Sequence, residues 1–303
     1  MFRRLSRLVA HWLPLLLLLA PASAQERLKV AASFSILGDF VQNVGRERIE
    51  LSVLVGPDGD AHVYQPNPAD AKRVAEAKVF FVNGLNFEGW LDRFIKASGT
   101  KANVVVTSKD VRTLQGTPPP EGDAHKGHAG ADPHAWQSIA NAKIYVGNIR
   151  DALIAADPAG KGAYEANAAA YLTELESTER HVRDTLGAIR KERRRIITSH
   201  EAFAYFGDTY GILLIAPQGI STESEASARA VGRIINQIKR EKIPAVFLEN
   251  VTDQRLVKRI AAETGAKIGG SLYSDALSGS SGPAPTYVAM MRHNASAIAA
   301  ALR

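Results

Sequence analysis

Three of the chain's eight histidines lie close together in the stretch DAHKGHAGADPHAW, residues 123–136. They are His125, His128 and His134, and the residues around them are mostly glycine, alanine and aspartate. Neutral imidazole is a preferred ligand of zinc and of its neighbouring transition metals, so this spacing indicates a metal site. A solvated loop rich in histidine would give the same pattern. The choice between a metal site and a solvated loop depends on whether further candidate ligands stand elsewhere in the chain.

Three further candidate ligands stand at the ends of predicted strands. His62 comes after LSVLVG, His200 ends the strand IITSH, and Asp275 follows AKIGGSLY. In open α/β sheets, ligands bind outside the carboxyl ends of the strands. Together with His134, these residues supply three imidazoles and one carboxylate, a set that fills a tetrahedral site without cysteine. We therefore predict a metal site made by His62, His134, His200 and Asp275.

The other histidines fit such a site less well. His11 belongs to a segment that we expect to be removed, His181 falls on the exposed face of a helical pattern, and His293 lies on the final predicted helix. We interpret all three as residues without a role at the metal.

The first 24 residues have the pattern of a secretory signal peptide. Three arginines near the start precede an apolar run over residues 12–20, and small residues stand at Ala22 and Ala24. The apolar run is too short to anchor the chain as a bilayer-spanning helix. We expect cleavage before Gln25 and a mature chain of residues 25–303.

The chain contains no cysteine. An exported protein without cysteine has no disulfide bonds, and its metal sites must use nitrogen and oxygen ligands. It also offers no cysteine after the signal peptide to carry a lipid. We therefore expect a periplasmic protein that diffuses freely and is not a lipoprotein.

The charge of the chain does not favour nucleic acid as a partner. Removal of residues 1–24 takes away three arginines and no acidic residue, so the formal charge falls from +6 to +3. The basic run RKERRR, residues 190–195, is typical of a solvated helix end rather than of a nucleic-acid surface. We expect a monomer.

The pattern of helices and strands predicts an α/β fold of two lobes with parallel sheets. Short β-rich runs alternate with helical patterns in an N-terminal lobe, residues 25–137, and in a C-terminal lobe, residues 195–303. Connecting helices fill residues 138–194, and a proline-, glycine- and histidine-containing loop over about 115–131 interrupts the first lobe. The metal site would lie in the cleft between the lobes.

One predicted helix is long enough to join the lobes. Apolar residues recur at spacings of three, four or seven over residues 164–192, which predicts a helix roughly 44 Å long. Two helices with a break near Gly187 are the alternative interpretation.

The mature sequence resembles the cluster A-I solute-binding proteins of ABC transporters for zinc or manganese, the ZnuA/TroA-like family. The resemblance is carried by the long helix and by HVYQPNPADAKRVAEAKVFFVNGLNFEGWL (62–91), DPHAW (132–136), TSHEAFAYFGDTYGI (198–212) and LYSDALS (272–278). It implies two lobes joined by one rigid helix with a metal ion held between them. The family's four ligand positions match His62, His134, His200 and Asp275.

The resemblance also bears on the metal. Manganese-selective members carry a carboxylate where this chain has His200, and three imidazoles with one carboxylate suit zinc better than a set richer in oxygen. The histidine-containing loop is similar to that of zinc-type members but shorter. Together with SLYSDALS, it most resembles the AztC type, which suggests a periplasmic zinc metallochaperone as donor.

The implied function is capture of Zn²⁺ and its delivery to an ABC transporter permease in the inner membrane, without enzymatic activity. His125 and His128 would then be an accessory metal trap or an inert spacer. Manganese or another divalent metal is an alternative cargo. A zinc hydrolase is a second alternative, in which water is the fourth ligand and Asp275 stands back from the metal as a base; Glu201 is the other nearby candidate base. An adhesin is a third, which nothing in the sequence supports independently.

Overall fold

The computed structural model describes residues 26–116 and 130–303 of the chain. The predicted signal peptide lies outside these residues, and so do His125 and His128 of the predicted accessory loop.

Four parallel strands form the first sheet, in the order β2-β1-β3-β4. Strands β1 and β2 pair over their full length, from Leu28 opposite Ile49 to Phe34 opposite Val55. The elements of this lobe are β1 (Leu28–Phe34), α1 (Ser35–Gly45), β2 (Ile49–Val55), α2 (Pro68–Glu76), β3 (Val79–Val82), α3 (Leu91–Ser98) and β4 (Asn103–Val106).

The start of α2 shows how the local sequence sets an element boundary. The Asn67 side chain accepts hydrogen bonds from the backbone N–H groups of Ala69 and Asp70, and the Asp70 carboxylate accepts one from the N–H of Asn67. Pro68 occupies the first turn, where its missing N–H costs nothing. This reciprocal cap fixes where the loop that carries His62 ends.

The second sheet repeats the topology of the first, with four parallel strands in the order β6-β5-β7-β8. Each sheet therefore places its first and third strands in the middle. The elements of this lobe are β5 (Arg195–Ile197), α6 (Ala204–Tyr210), β6 (Leu213–Ile215), α7 (Ala228–Glu241), β7 (Ala245–Glu249), α8 (Gln254–Thr264), β8 (Lys267–Leu272) and α9 (Tyr287–Leu302).

Two helices connect the lobes, α4 (Ile139–Ala156) and α5 (Lys161–Gly187). Helix α5 has 27 residues, which is about 40 Å at 1.5 Å per residue. It packs against α1 and α4 and against α9 of the second lobe. The predicted architecture of two α/β lobes joined by a long helix is confirmed.

The bounds of the long helix differ from the predicted residues 164–192. The helix begins three residues earlier, at Lys161, and ends at Gly187. A short 3-10 turn at Lys191–Arg193 follows separately. The Arg194 side chain donates hydrogen bonds to the backbone oxygens of Gly187 and Ile189, so a residue of the basic run satisfies the carbonyl groups at the helix end.

The larger hydrophobic cluster continues from one lobe to the other. It joins apolar residues of the first sheet, such as Phe80, to the buried face of α5 and to Tyr287 and Met290 of α9. A smaller cluster lies under α7 and α8 in the second lobe. Within the two described ranges, none of the helices has both the length and the apolar character needed to cross a bilayer.

Candidate metal centre

The structure brings together the four residues predicted as ligands. Each of His62, His134, His200 and Asp275 offers one nitrogen or oxygen atom, and these atoms lie within 4.8 Å of one another. His62 is 8% exposed, whereas the other three residues have no exposed surface. Two of the residues precede the connecting helices and two follow them, so the group lies between the lobes.

Asp275 lies at the centre of this group. Its Oδ2 atom is 3.0 Å from His200 Nε2 and 3.6 Å from His62 Nε2, and its Oδ1 atom is 3.5 Å from His134 Nε2. The Nε2 atoms of His62 and His134 are 3.3 Å apart. All three imidazoles therefore direct the same ring nitrogen toward one point beside the carboxylate, as ligands of a single ion would.

Loops at the carboxyl ends of strands position the four side chains. His62 lies between β2 and α2, His134 precedes a short 3-10 turn before α4, and His200 comes three residues after the end of β5. Asp275 comes three residues after the end of β8. This placement agrees with the rule that open α/β sheets bind ligands at the carboxyl ends of their strands.

An aspartate orients the His134 imidazole. The Asp132 Oδ1 atom accepts a hydrogen bond from the backbone N–H of His134 and lies 2.7 Å from its Nδ1 atom. Tyr205 of α6 donates a hydrogen bond from its hydroxyl to the Asp132 carbonyl. Such a carboxylate holds a ligating imidazole in one orientation and makes it a stronger ligand.

Glu249, at the end of β7, performs the corresponding role for His200. Its Oε2 atom lies 2.6 Å from His200 Nδ1, and its Oε1 atom accepts hydrogen bonds from the backbone N–H groups of Ser199 and His200. Burial alone would lower the pKa of His200. The carboxylates of Glu249 and Asp275 outweigh burial and raise that pKa well above its ordinary value of 6.5.

The surroundings of Asp275 suit a cation. Burial would raise the pKa of this carboxyl group, but the charges of His200, His134 and His62 hold it below its ordinary range, so Asp275 is ionised at neutral pH. Its Oδ1 atom accepts no hydrogen bond from any described residue, although it is fully buried. A buried carboxylate oxygen without a donor is costly unless a cation coordinates it.

The Asp275 loop belongs to the second lobe but contacts the first lobe directly. The Ser274 carbonyl accepts hydrogen bonds from Trp136 Nε1 at 3.0 Å and from Gln137 Nε2 at 2.7 Å. The backbone N–H of Leu277 donates to Ser35 Oγ at 3.0 Å. The position of Asp275 therefore depends on how the two lobes meet.

Aromatic rings cover the site on the side of the first lobe. The Phe87 ring centre lies 4.6 Å from that of His62, and the Trp136 ring centre lies 5.3 Å from that of His134. Both aromatic side chains are fully buried. They exclude water from this side and hold the imidazole rings in place.

The supporting residues Asp132 and Glu249 were not predicted from the sequence. Asp132 could have been found, because it stands two residues before His134 just as Asp60 stands two before His62. Glu249 ends the otherwise apolar strand AVFLE, and a buried charge in such a strand indicates a functional partner.

The remaining histidines and the hydrolase candidate base lie outside the group of four. His181 is exposed on α5, and His293 Nε2 lies 3.0 Å from the Ser271 carbonyl. Glu201 is half-buried and is not part of the group. The base of the predicted accessory loop is closed by an antiparallel bridge between Gln115 and Ala131.

Two similar lobes with a buried His₃Asp site between them define a metal-binding protein of the solute-binding class. Residues 30–301 match the family model described as "Zinc-uptake complex component A periplasmic". The chain belongs to this family, whose members bind solute for an ABC transporter permease and are not enzymes.

Characterised relatives in the family differ in the metal that their names give. The chain is 36% identical over 269 residues to "Manganese-binding lipoprotein MntA" of Halalkalibacterium halodurans, covering 89% of this chain and 86% of that one. It is 34% identical over 280 residues to "Iron-binding protein YfeA" of Yersinia pestis, covering 92% and 88%.

Solved structures of the same fold also differ in the metal with which they are described. A manganese-bound periplasmic metal-binding protein of candidatus Liberibacter asiaticus has a TM-score of 0.79 at 30% identity, covering 90% of this chain and 99% of that one. The periplasmic zinc-binding protein TroA of Treponema pallidum has a TM-score of 0.83 at 28% identity, covering 91% and 99%. The chain is thus a divalent-metal-binding protein, and its relatives bind manganese, iron or zinc.

Proposed function

We propose that this protein captures Zn²⁺ in the periplasm and delivers it to an ABC transporter permease for import. In this proposal His62, His134, His200 and Asp275 are the four ligands of the ion. The observation that carries the proposal is the convergence of three Nε2 atoms on one ionised, buried carboxylate. Four ligands without cysteine match a closed tetrahedral zinc site, which leaves no position for a reacting water.

The choice of zinc depends mainly on His200. Three imidazoles and one carboxylate form a softer ligand set than the oxygen-rich sites that manganese prefers. The Glu249 carboxylate beside His200 Nδ1 strengthens that imidazole as a ligand. Manganese remains the alternative cargo, because relatives that cover most of the chain carry manganese or iron in their names.

In the proposed cycle the mature protein, residues 25–303, binds the ion and the lobes enclose it. The loaded protein then docks on the permease with both lobes, residues 25–137 and 195–303, held by the connecting segment 138–194. We propose that the protein diffuses freely as a monomer and carries no lipid, since the sequence has no cysteine to receive one.

The accessory loop would supply the site with metal. Its base lies beside the centre, because the Asp132 N–H donates a hydrogen bond to the Leu114 carbonyl and Asp132 supports His134. We propose that His125 and His128 receive zinc, as in an AztC-type protein, from a periplasmic metallochaperone. Removal of the loop should then slow metal uptake and leave the equilibrium affinity of the four-ligand site unchanged.

A competitive titration tests the proposal. Chelator-stripped mature protein is titrated with Zn²⁺ and Mn²⁺, beside the variant His200→Ala and a deletion of residues 121–131. His181→Ala, which changes an exposed histidine on α5, is the matched control. We expect one tight zinc equivalent that His200→Ala weakens and that the deletion and the control retain. Equal preference for manganese, or zinc binding that survives His200→Ala, would contradict the proposal.

A further inference from the structure

We propose that Asp60 and Thr222 form a positioning pair that links the contact between the lobes to the placement of His62. The inference rests on the proposed function, since it assigns residues that control how long the ion stays bound. Neither residue is among the four ligands. The pair would act by holding the ligand loop, defined as residues 56–62, in the conformation that presents His62 to the metal.

The ligand loop has no helix or strand of its own, and beyond one backbone hydrogen bond from Gly59 to Gly56 it is held by contacts with the rest of the protein. The first lobe holds its end, because Trp90 Nε1 donates a hydrogen bond to the Ala61 carbonyl at 2.8 Å and Phe87 packs against the His62 ring. These contacts fix His62 relative to the lobe that carries it. They do not involve the earlier part of the loop.

The second lobe holds that earlier part. The Thr222 hydroxyl donates a hydrogen bond to Asp60 Oδ2 at 2.6 Å, and Asn250 Nδ2 donates one to Asp58 Oδ1 at 3.0 Å. The backbone N–H of Asp58 donates to the Leu277 carbonyl at 2.9 Å, two residues beyond Asp275. The loop therefore forms part of the first lobe in sequence and is held largely by the second.

Asp60 connects these contacts to the ligand. Its Oδ1 atom accepts a hydrogen bond from the backbone N–H of His62 at 2.9 Å, while its Oδ2 atom accepts from Thr222. One carboxylate thus bridges the amide of a ligand residue and a hydroxyl of the opposite lobe. Asp132 binds the amide of His134 in the same way, but its carboxylate contacts the imidazole of its own segment instead.

A direct consequence concerns release of the ion. When the lobes separate, the Thr222 hydroxyl leaves Asp60 and the carboxylate loses one of its two donors. The amide of His62 is then held only by contacts of the first lobe. His62 is also the most exposed of the four residues, so it would be the first ligand to leave. Residues that orient a metal ligand typically change metal affinity by roughly 10–100-fold when they are removed.

The test measures zinc dissociation from the full mature protein by stopped-flow transfer to a fluorescent chelator. Thr222→Val keeps the shape of the side chain and removes the hydroxyl, and we expect dissociation to become about tenfold faster with an unchanged association rate. Thr222→Ser keeps the hydroxyl and should keep the slow dissociation rate of the wild type. Ser221→Ala is the matched control, because the Ser221 hydroxyl accepts a hydrogen bond from the backbone N–H of Glu223 within its own loop.

A double-mutant cycle separates positioning from a general loss of stability. Asp60→Ala should speed dissociation by itself, and Thr222→Val should add nothing further in that background, since the contact is already lost. Additive effects, or a Thr222→Val rate equal to that of wild type, would overturn the inference while wild-type zinc binding remained intact. A wild-type protein that binds no zinc would instead refute the proposed function.

Discussion

The carboxylates around His200 should make zinc binding release a proton. Glu249 and Asp275 raise the pKa of His200 well above 6.5, so at neutral pH the metal-free protein carries a proton on this imidazole. Zinc requires the neutral ring and must displace that proton. The apparent affinity therefore rises with pH as long as the pH stays below the raised pKa of His200.

The size of the effect follows from linkage. One displaced proton changes the apparent Kd tenfold per pH unit, which is about 1.4 kcal/mol of binding free energy. Glu249→Gln removes the largest charge contribution that raises this pKa and leaves the contribution of Asp275 in place, so the pKa of His200 should fall. In this variant we expect fewer protons to be released at about pH 7.5 than from wild type and the pH dependence to flatten.

Calorimetric zinc titrations in buffers with different ionisation enthalpies count the released protons directly. Glu88→Gln is the matched control, because Glu88 is also a buried carboxylate but contacts Ser33 and the backbone of Asn83 instead of the site. Wild type and control should release the same number. Equal proton release from wild type and Glu249→Gln would refute the charge argument for His200.

Three further predictions concern stability. Burial raises the pKa of Asp39 from 3.8 to about 6, so the folded state loses stability as the pH rises between these values. This loss is at most about 3 kcal/mol of unfolding free energy, and Asp39→Asn should remove it. Urea unfolding of both proteins at about pH 4 and about pH 7.5 measures it. The same change in unfolding free energy between the two pH values in wild type and variant would contradict the prediction. A thousandfold excess of zinc over its Kd should stabilise the protein by about 4 kcal/mol in thermal or urea unfolding, and His200→Ala should lose most of that gain. Arg194→Ala should cost about 1 kcal/mol of unfolding free energy by removing the donors at the end of α5, with zinc affinity unchanged; a loss of affinity would show that α5 also shapes the site.

Much of the fold could be predicted because its signals are local. The alternation of β-rich runs with helical patterns predicts both parallel sheets, and Asn67 with Pro68 marks the start of α2. The end of the long helix could not be predicted in this way, because apolar spacing continues to Ile189, which is buried just beyond the helix. At the observed end the Gly187 carbonyl accepts a hydrogen bond from Arg194, seven residues later, a contact that apolar spacing does not reveal.

The candidate ligands could be predicted because residue type and strand-end position are both visible in the sequence. Asp132 stands two residues before His134, but the other supporting contacts join residues far apart in the chain, such as Glu249 beside His200 and Thr222 beside Asp60. No local pattern predicts that β5 and β7 become neighbours, which places Glu249 beside His200, or how the two lobes meet, which places Thr222 beside Asp60. The metal itself depends on small differences among similar ligand sets, which explains why relatives with one fold bind different ions.

X-ray absorption spectroscopy of the mature protein loaded with one equivalent of zinc tests the central claim most directly. Four ligands at about 2.0–2.2 Å, with the multiple scattering of three imidazoles and one additional oxygen, are the expected result. In Asp275→Ala the oxygen contribution should change while the three imidazoles remain. A shell dominated by oxygen, or fewer than three imidazoles in the wild-type protein, would contradict binding by His62, His134, His200 and Asp275.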